Sequence, residues 1–156
     1  YFLFISVLVI ITFIDIDHGI IPDVLSLPGI PIFFVLTWIF IPTMTWWNSL
    51  LGIIVGGGIL LGISIAYKIV TKRDGMGGGD VKLLAMSGAV IGWKGVLFTI
   101  FVSAIVGTIA GIILMLKNRK SLSLSMPYGP FLALGAILYI FFGDMIFSWY
   151  ISMLTF

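Results

Sequence analysis

The sequence predicts an all-α, polytopic membrane protein with about six transmembrane helices, built as a single membrane-embedded domain over residues 1–156. Three observations predict it. Of the 156 residues, 61% are hydrophobic and only 9% are charged. The mean hydropathy is +1.28. Long apolar stretches recur between short polar segments. Soluble domains carry about 25% charged residues, so this chain belongs in a bilayer, where each helical crossing needs about 20 mostly apolar residues.

Apolar runs between breakers place the spans at 1–14, 28–47, 49–70, 81–92, 95–116 and 128–142, with a short apolar tail to Phe156. The run 1–14 is short for a crossing. It lacks the basic flank and small-residue cleavage site of a signal peptide, so it reads as a truncated helix of a larger protein that starts upstream of Tyr1. The 81–92 run is also short, and either starts deep in the membrane or continues through Gly92 into the next helix. Gly52/Gly56, Gly58/Gly62, Gly88/Gly92 and Gly107/Gly111 each stand four apart, a spacing that lets helix backbones approach closely. Trp38, Trp46, Trp47, Trp93 and Trp149 fall mostly near span ends, where amphipathic rings sit at the headgroup level.

Basic residues set the expected orientation. Lys68, Lys72, Arg73 and Lys82 flank one loop, Lys117, Arg119 and Lys120 begin another, and only Lys94 lies elsewhere. Positive charge is retained on the cytoplasmic side, which puts both loops and the 15–27 segment there, and the connections near 42–48, 92–95 and 143–144 on the far side. A net charge of +2 is too small and scattered to imply nucleic-acid binding. The absence of cysteine excludes disulfides, thiol catalysis and thiolate-bound zinc. His18 is the only histidine, and a lone histidine makes a poor metal site, so neither metal nor cofactor is expected.

All six acidic residues are aspartates: Asp15, Asp17, Asp23, Asp74, Asp80 and Asp144. Asp15 directly follows one apolar run and Asp80 directly precedes another, so both are expected at the membrane surface or inside it. A charge at the bilayer centre costs roughly 2.5–3.5 kcal/mol on insertion scales, which makes an ionisable group at depth a functional candidate. Each also has a plainer reading: Asp15 as a helix-end residue in water, and Asp80 as the N-cap of the helix beginning Val81-Lys82-Leu83-Leu84. The run Gly75-Met76-Gly77-Gly78-Gly79-Asp80 sets Asp80 apart, because glycine permits close backbone approach. Such a loop admits an extended peptide beside Asp80 and can pair with it by backbone hydrogen bonds. A phosphate cradle would need the GxxxxGK[ST] pattern, which is absent. In the segment 15–28, Pro22 and Pro28 exclude one continuous helix. Asp15 and Asp17, two apart, would not share a helix face. Asp23 after Pro22 reads first as a helix cap or initiator.

Asp15-x-Asp17-x-x-x-x-Pro22-Asp23, then Gly77-Gly78-Gly79-Asp80-Val81-Lys82-Leu83-Leu84-Ala85, then Pro127-Tyr128-Gly129-Pro130 form an ordered set that resembles the type IV prepilin peptidases, a family of GxGD aspartic proteases. Each motif alone is weak, whereas their order across essentially the whole chain is specific. The resemblance implies that the catalytic pair is Asp15 and Asp80, with Asp17 as the rival for the first place. It implies cleavage of the short basic leader of type IV prepilins or pseudopilins on the cytoplasmic face of the membrane, without metal or cofactor. Asp17, Asp23, Gly77, Gly78, Gly79, Lys82, Pro127, Gly129 and Pro130 would bind substrate or support the site. The glycines would present the leader in extended form, Asp17, Asp23 and Asp74 would attract its basic residues, Asp74 reading first as a solvated loop charge, and the Pro127–Pro130 turn would shape the site's edge or simply start a helix. Bifunctional members carry an N-terminal region with paired CxxC motifs and also methylate the new N-terminus. No cysteine is present here, which puts methylation by this chain in doubt.

The expected mechanism brings Asp15 and Asp80 together by packing of the first helix on the fourth, the two carboxyls sharing one proton. The alternative from another class is an ion- or proton-coupled transporter with cation-binding intramembrane aspartates. It leaves the glycine run unexplained, and no inverted repeat is visible.

Overall fold

The computed structural model of the chain describes residues 1–72, 77–118 and 127–154. Arg73, Asp74, Gly75, Met76, Arg119 and Lys120 lie outside them, as do the side chains of Asp144 and Trp149. The described residues form five α-helices: α1 (Phe2–His18), α2 (Asp23–Phe40), α3 (Trp46–Thr71), α4 (Gly78–Asn118) and α5 (Gly129–Leu154). The protein is an all-α, multi-pass membrane protein. Asp23–Phe40, Trp46–Thr71 and Gly78–Lys117 are each long and apolar enough to cross a bilayer, and Gly129–Gly143 is a shorter apolar helix. Ile54, Ile63, Phe101, Ile113 and Leu116 point outward from the bundle and are exposed, as expected of a surface solvated by lipid tails.

Straight, α4 would be about 60 Å long, twice the hydrocarbon thickness, but Gly92 breaks it with non-helical angles (φ 68, ψ 178). The arm 78–91 runs alongside α3 in the opposite sense: Gly52 abuts Gly88, and Gly56 abuts Leu84. The arm 93–118 returns alongside α5, with Gly95 against Tyr139, Gly135 against Thr99 and Gly107 against Tyr128 and Phe131. The chain therefore reverses at Gly92. The runs 81–92 and 95–116 are two antiparallel rods joined at a single glycine. The φ at Gly92 is closed to ordinary side chains.

The 78–91 arm is the hub. Every residue from Leu83 to Gly92 is buried, so this rod is apolar all round and packed on all sides. Gly29 of α2 sits on Met86, Ser49 of α3 donates to the Ala89 carbonyl, and Phe4 of α1 meets Phe33 of α2 edge-on at 5.2 Å between centroids. A methyl group at Gly52 or Gly88 would overlap the other residue's backbone. The expected close approach is thus real at Gly52, Gly56 and Gly88, but Gly58 and Gly62 face open space. Spacing alone does not say which face of α3 meets a neighbour.

Two further expectations are corrected. Proline does not delay α2 to residue 28: the helix starts at Asp23 and runs through Pro28 and Pro31. Membrane helices tolerate such interruptions because neighbouring elements re-satisfy the freed carbonyls, and Gly29 and Phe33 hold this stretch against α4 and α1. The last helix runs to Leu154 rather than ending at 142.

Candidate active site

Loops and helix ends from three stretches of the chain, 15–23, 77–82 and 127–128, meet around a cavity of about 920 Å³ at one end of the bundle. Asp15, Asp23, Gly77, Gly78, Gly79, Asp80, Lys82 and Pro127 all line it, together with the Ile16 and Ile20–Pro22 stretch and Tyr128. The opposite end gathers Thr43, Met44, Asn48, the Ile91–Lys94 turn and Tyr139 around a second cavity of about 380 Å³. The α1–α2 connection and the starts of α4 and α5 thus lie at one end, and the 41–48 connection and the Ile91–Lys94 turn at the other; the connection expected near 143–144 is absent, because α5 continues through it.

Asp15 lies in the last turn of α1, where the αL residue Gly19 (φ 65, ψ 27) closes the helix by donating to the Asp15 carbonyl. The Asp15 side chain is 4% exposed. It accepts a hydrogen bond from the Gly129 N–H at 3.0 Å on Oδ2. Gly129 opens α5. Its N–H is one of the donors that a helix start leaves unpaired, Pro130 has none to offer, and the next two N–H groups, of Phe131 and Leu132, turn back to the Tyr128 carbonyl. Asp15 thus caps α5 from a distant point in sequence. A side chain at Gly129 would meet this carboxylate, since a Cβ there would stand 2.6 Å from Oδ2.

Asp80 is the third residue of α4, and its N–H donates to the Gly77 carbonyl at 3.2 Å. It is therefore inside the first turn and not at the N-cap, as the sequence suggested, because Gly78 and Gly79 already belong to the helix. Asp80 is 8% exposed and lines the same cavity as Asp15. The two are not joined by direct packing of α1 on α4 as expected. The main neighbours of α1 are α5 and α2, and the link runs through Ile21. This buried side chain would contact a Cβ at Gly79 at 2.7 Å and one at Gly129 at 3.2 Å. Ile21 fills the space between the helix starts that carry Asp80 and hold Asp15, and it fits because both neighbours are glycine.

Asp17 and His18 sit on the same helix as Asp15 but are exposed and outside the cavity lining, in keeping with a two-residue offset on a helix. Asp23 opens α2 and pairs with Lys82 at 2.7 Å across the cavity mouth. Pro130 lies within α5 and outside the lining. Ile21 and Tyr128 belong to the site although the sequence reading gave them no role. Tyr128 shares a 2.8 Å hydrogen bond with Ser103, tying the returning arm of α4 to the start of α5. Among the described residues no three His or Asp side chains converge to hold a metal ion.

The fold and cavity define a polytopic membrane protein with two buried aspartates converging on one polar cavity. Comparison with known proteins places it more narrowly. The chain belongs to the type IV leader peptidase family, which matches residues 2–112. It is similar to the prepilin leader peptidase/N-methyltransferase of Aeromonas salmonicida (strain A449), 37% identical over 148 residues that cover 94% of this chain and 50% of that protein. The proteins of the same description from Pseudomonas aeruginosa (36% over 152 residues, 93% of this chain and 50% of the relative) and Bacillus subtilis (33% over 150 residues, 96% and 58%) are also similar. The chain spans about half the length of the curated relatives it matches. No solved structure matches it.

Proposed function

We propose that this chain is the peptidase portion of a membrane aspartic endopeptidase that removes the basic leader from type IV prepilins or pseudopilins, with Asp15 and Asp80 as the catalytic pair. The observation that carries the reading is the burial of these two aspartates on one cavity, each on a helix end. Two carboxyls so placed share one proton more easily than both ionise. One carboxylate takes a proton from a water as that water attacks the scissile carbonyl; the protonated partner polarises the carbonyl oxygen and then protonates the leaving amine. The Gly129 N–H fixes Oδ2 of Asp15, leaving Oδ1 without a partner among the described residues and available to the water.

The bundle end that holds the cavity also carries Lys68, Lys72, Lys82 and Lys117, which supports a cytoplasmic-facing site in the inner membrane under the positive-inside rule. The relatives' second named activity, N-methylation, is not carried over to these residues. The reading is tested by incubating the purified protein in liposomes with a type IV prepilin and finding the cut by mass spectrometry. Release of the intact leader at one peptide bond is expected; an uncut prepilin, with the protein folded, contradicts the reading.

A further inference from the structure

The connection between α1 and α2 lines the cavity but has no part in the chemistry above. Gly19 turns out of α1 in the αL conformation, Pro22 stands at φ −65, ψ 122, and the residue before a proline is held to the extended region. Ile21 and Pro22 therefore run extended along the cavity wall. The side chains divide in the manner of a strand: Ile21 is 7% exposed and anchored against Gly79 and Gly129, while its neighbour Ile20 is 64% exposed.

The backbone polar groups of this strip are left over. Gly19 N–H is used by Asp15, and the Pro22 carbonyl accepts from the N–H groups of Leu25 and Ser26. The N–H and C=O groups of Ile20 and Ile21 have no hydrogen-bond partner among the described residues. Backbone groups need a partner when water is excluded, so a guest main chain that displaces water from this wall must take over these hydrogen bonds. The glycine run does not offer the same edge, because Gly78 and Gly79 are committed to the first turn of α4.

We infer that Ile20 and Ile21 form a pairing edge onto which the substrate adds as a short extended strand, passing between this strip and Gly77–Gly79 with its scissile bond at Asp15 and Asp80. The inference rests on the peptidase reading and names its substrate-binding element. The occupant is a peptide backbone and not a lipid tail, since an acyl chain has nothing with which to satisfy amide groups. Gly78, with no atom near the place of a Cβ, leaves room for side chains on the opposite face of the peptide. In strand addition the main chain supplies affinity, and only alternate residues of the guest point their N–H groups at the host edge.

The test is an N-methyl scan of a synthetic peptide spanning the leader junction of a prepilin, cleaved by the full chain in proteoliposomes. N-methylation deletes one donor and keeps the side chain. Loss of one hydrogen bond of about 1–1.5 kcal/mol corresponds to roughly a tenfold fall in kcat/KM, expected at residues two apart, chiefly through KM, with the intervening residue tolerant. Because the chain has no cysteine, Ile20→Cys gives a single thiol, and disulfide capture of peptides carrying cysteine at successive positions should follow the same period of two. Uniform tolerance to N-methylation, or capture at a helical spacing of three and four, overturns the inference while leaving the peptidase reading intact. Failure to cleave the unmodified peptide overturns both.

Discussion

The N–H of Gly129 donates to Oδ2 of Asp15 at 3.0 Å, joining residues 114 apart in sequence. This contact holds the end of α1 against the start of α5 and orients a carboxyl that would otherwise be free to rotate in the cavity. Any residue but proline would supply that N–H, but only glycine leaves the space that the carboxylate occupies. Gly129→Ala keeps the N–H but its methyl pushes the carboxylate off it, so leader cleavage is expected to fall by about 10- to 100-fold, the loss of a hydrogen bond to a charged group at roughly 1.5–3 kcal/mol. The thermal midpoint in detergent should change far less than for a core substitution. Cleavage rates at matched folded amounts check this.

Ile21 should matter as a spacer. Ile21→Ala opens the gap between Gly79 and Gly129, and large-to-small changes at buried sites cost about 2–5 kcal/mol. Ile20→Ala, at an exposed position, should leave stability within about 0.5 kcal/mol. Paired unfolding measurements distinguish the two.

The glycines at four-residue spacings in α3 and the first arm of α4 separate into two classes. Gly52→Leu or Gly88→Leu places a side chain into the partner helix's backbone and should prevent correct packing of α3 on α4, read as loss of a monodisperse folded species. Gly58→Ala and Gly62→Ala meet open space and should be neutral or stabilising by up to about 1 kcal/mol, the helix propensity difference. A different strain operates at Gly92 (φ 68, ψ 178), where Gly92→Ala should destabilise by at least about 1–2 kcal/mol because the residue must hold a positive φ.

The Asp23–Lys82 pair is a solvent-screened bridge, its side chains being 57% and 32% exposed. A double-mutant cycle with Asp23→Asn and Lys82→Met should give a coupling below about 1 kcal/mol, falling further at high salt. A coupling above about 2 kcal/mol would show that the pair holds α2 to α4 far more firmly than its exposure allows.

Much of the fold was legible because bilayer chemistry leaves a coarse signal. Apolar runs marked the helices, the short run ending at Gly92 signalled an anomaly, and the basic residues separated the two ends. Asp15 and Asp80 stood out because each interrupts the edge of an apolar run. What the sequence did not reveal depends on side-chain direction and long-range contact. The Gly129–Asp15 bond and the Ile21 wedge have no periodic signature, since their partners lie in distant segments. Gly58 and Gly62 share the spacing of Gly52 and Gly56 yet face away from any neighbour. The rule for soluble helices ends a helix before Pro28, and the apolar packing of α2 overrides it. The two glycines before Asp80 read as loop, which puts Asp80 at the N-cap, whereas they form the first turn of α4.

The central claim is that Asp15 and Asp80 act together, and it is tested most directly by prepilin cleavage with Asp15→Asn, Asp80→Asn and Asp17→Asn compared at matched folded amounts. Loss of cleavage in the first two, with cleavage retained in Asp17→Asn, is the predicted result. Near-normal cleavage by either Asp15→Asn or Asp80→Asn would contradict the catalytic pair.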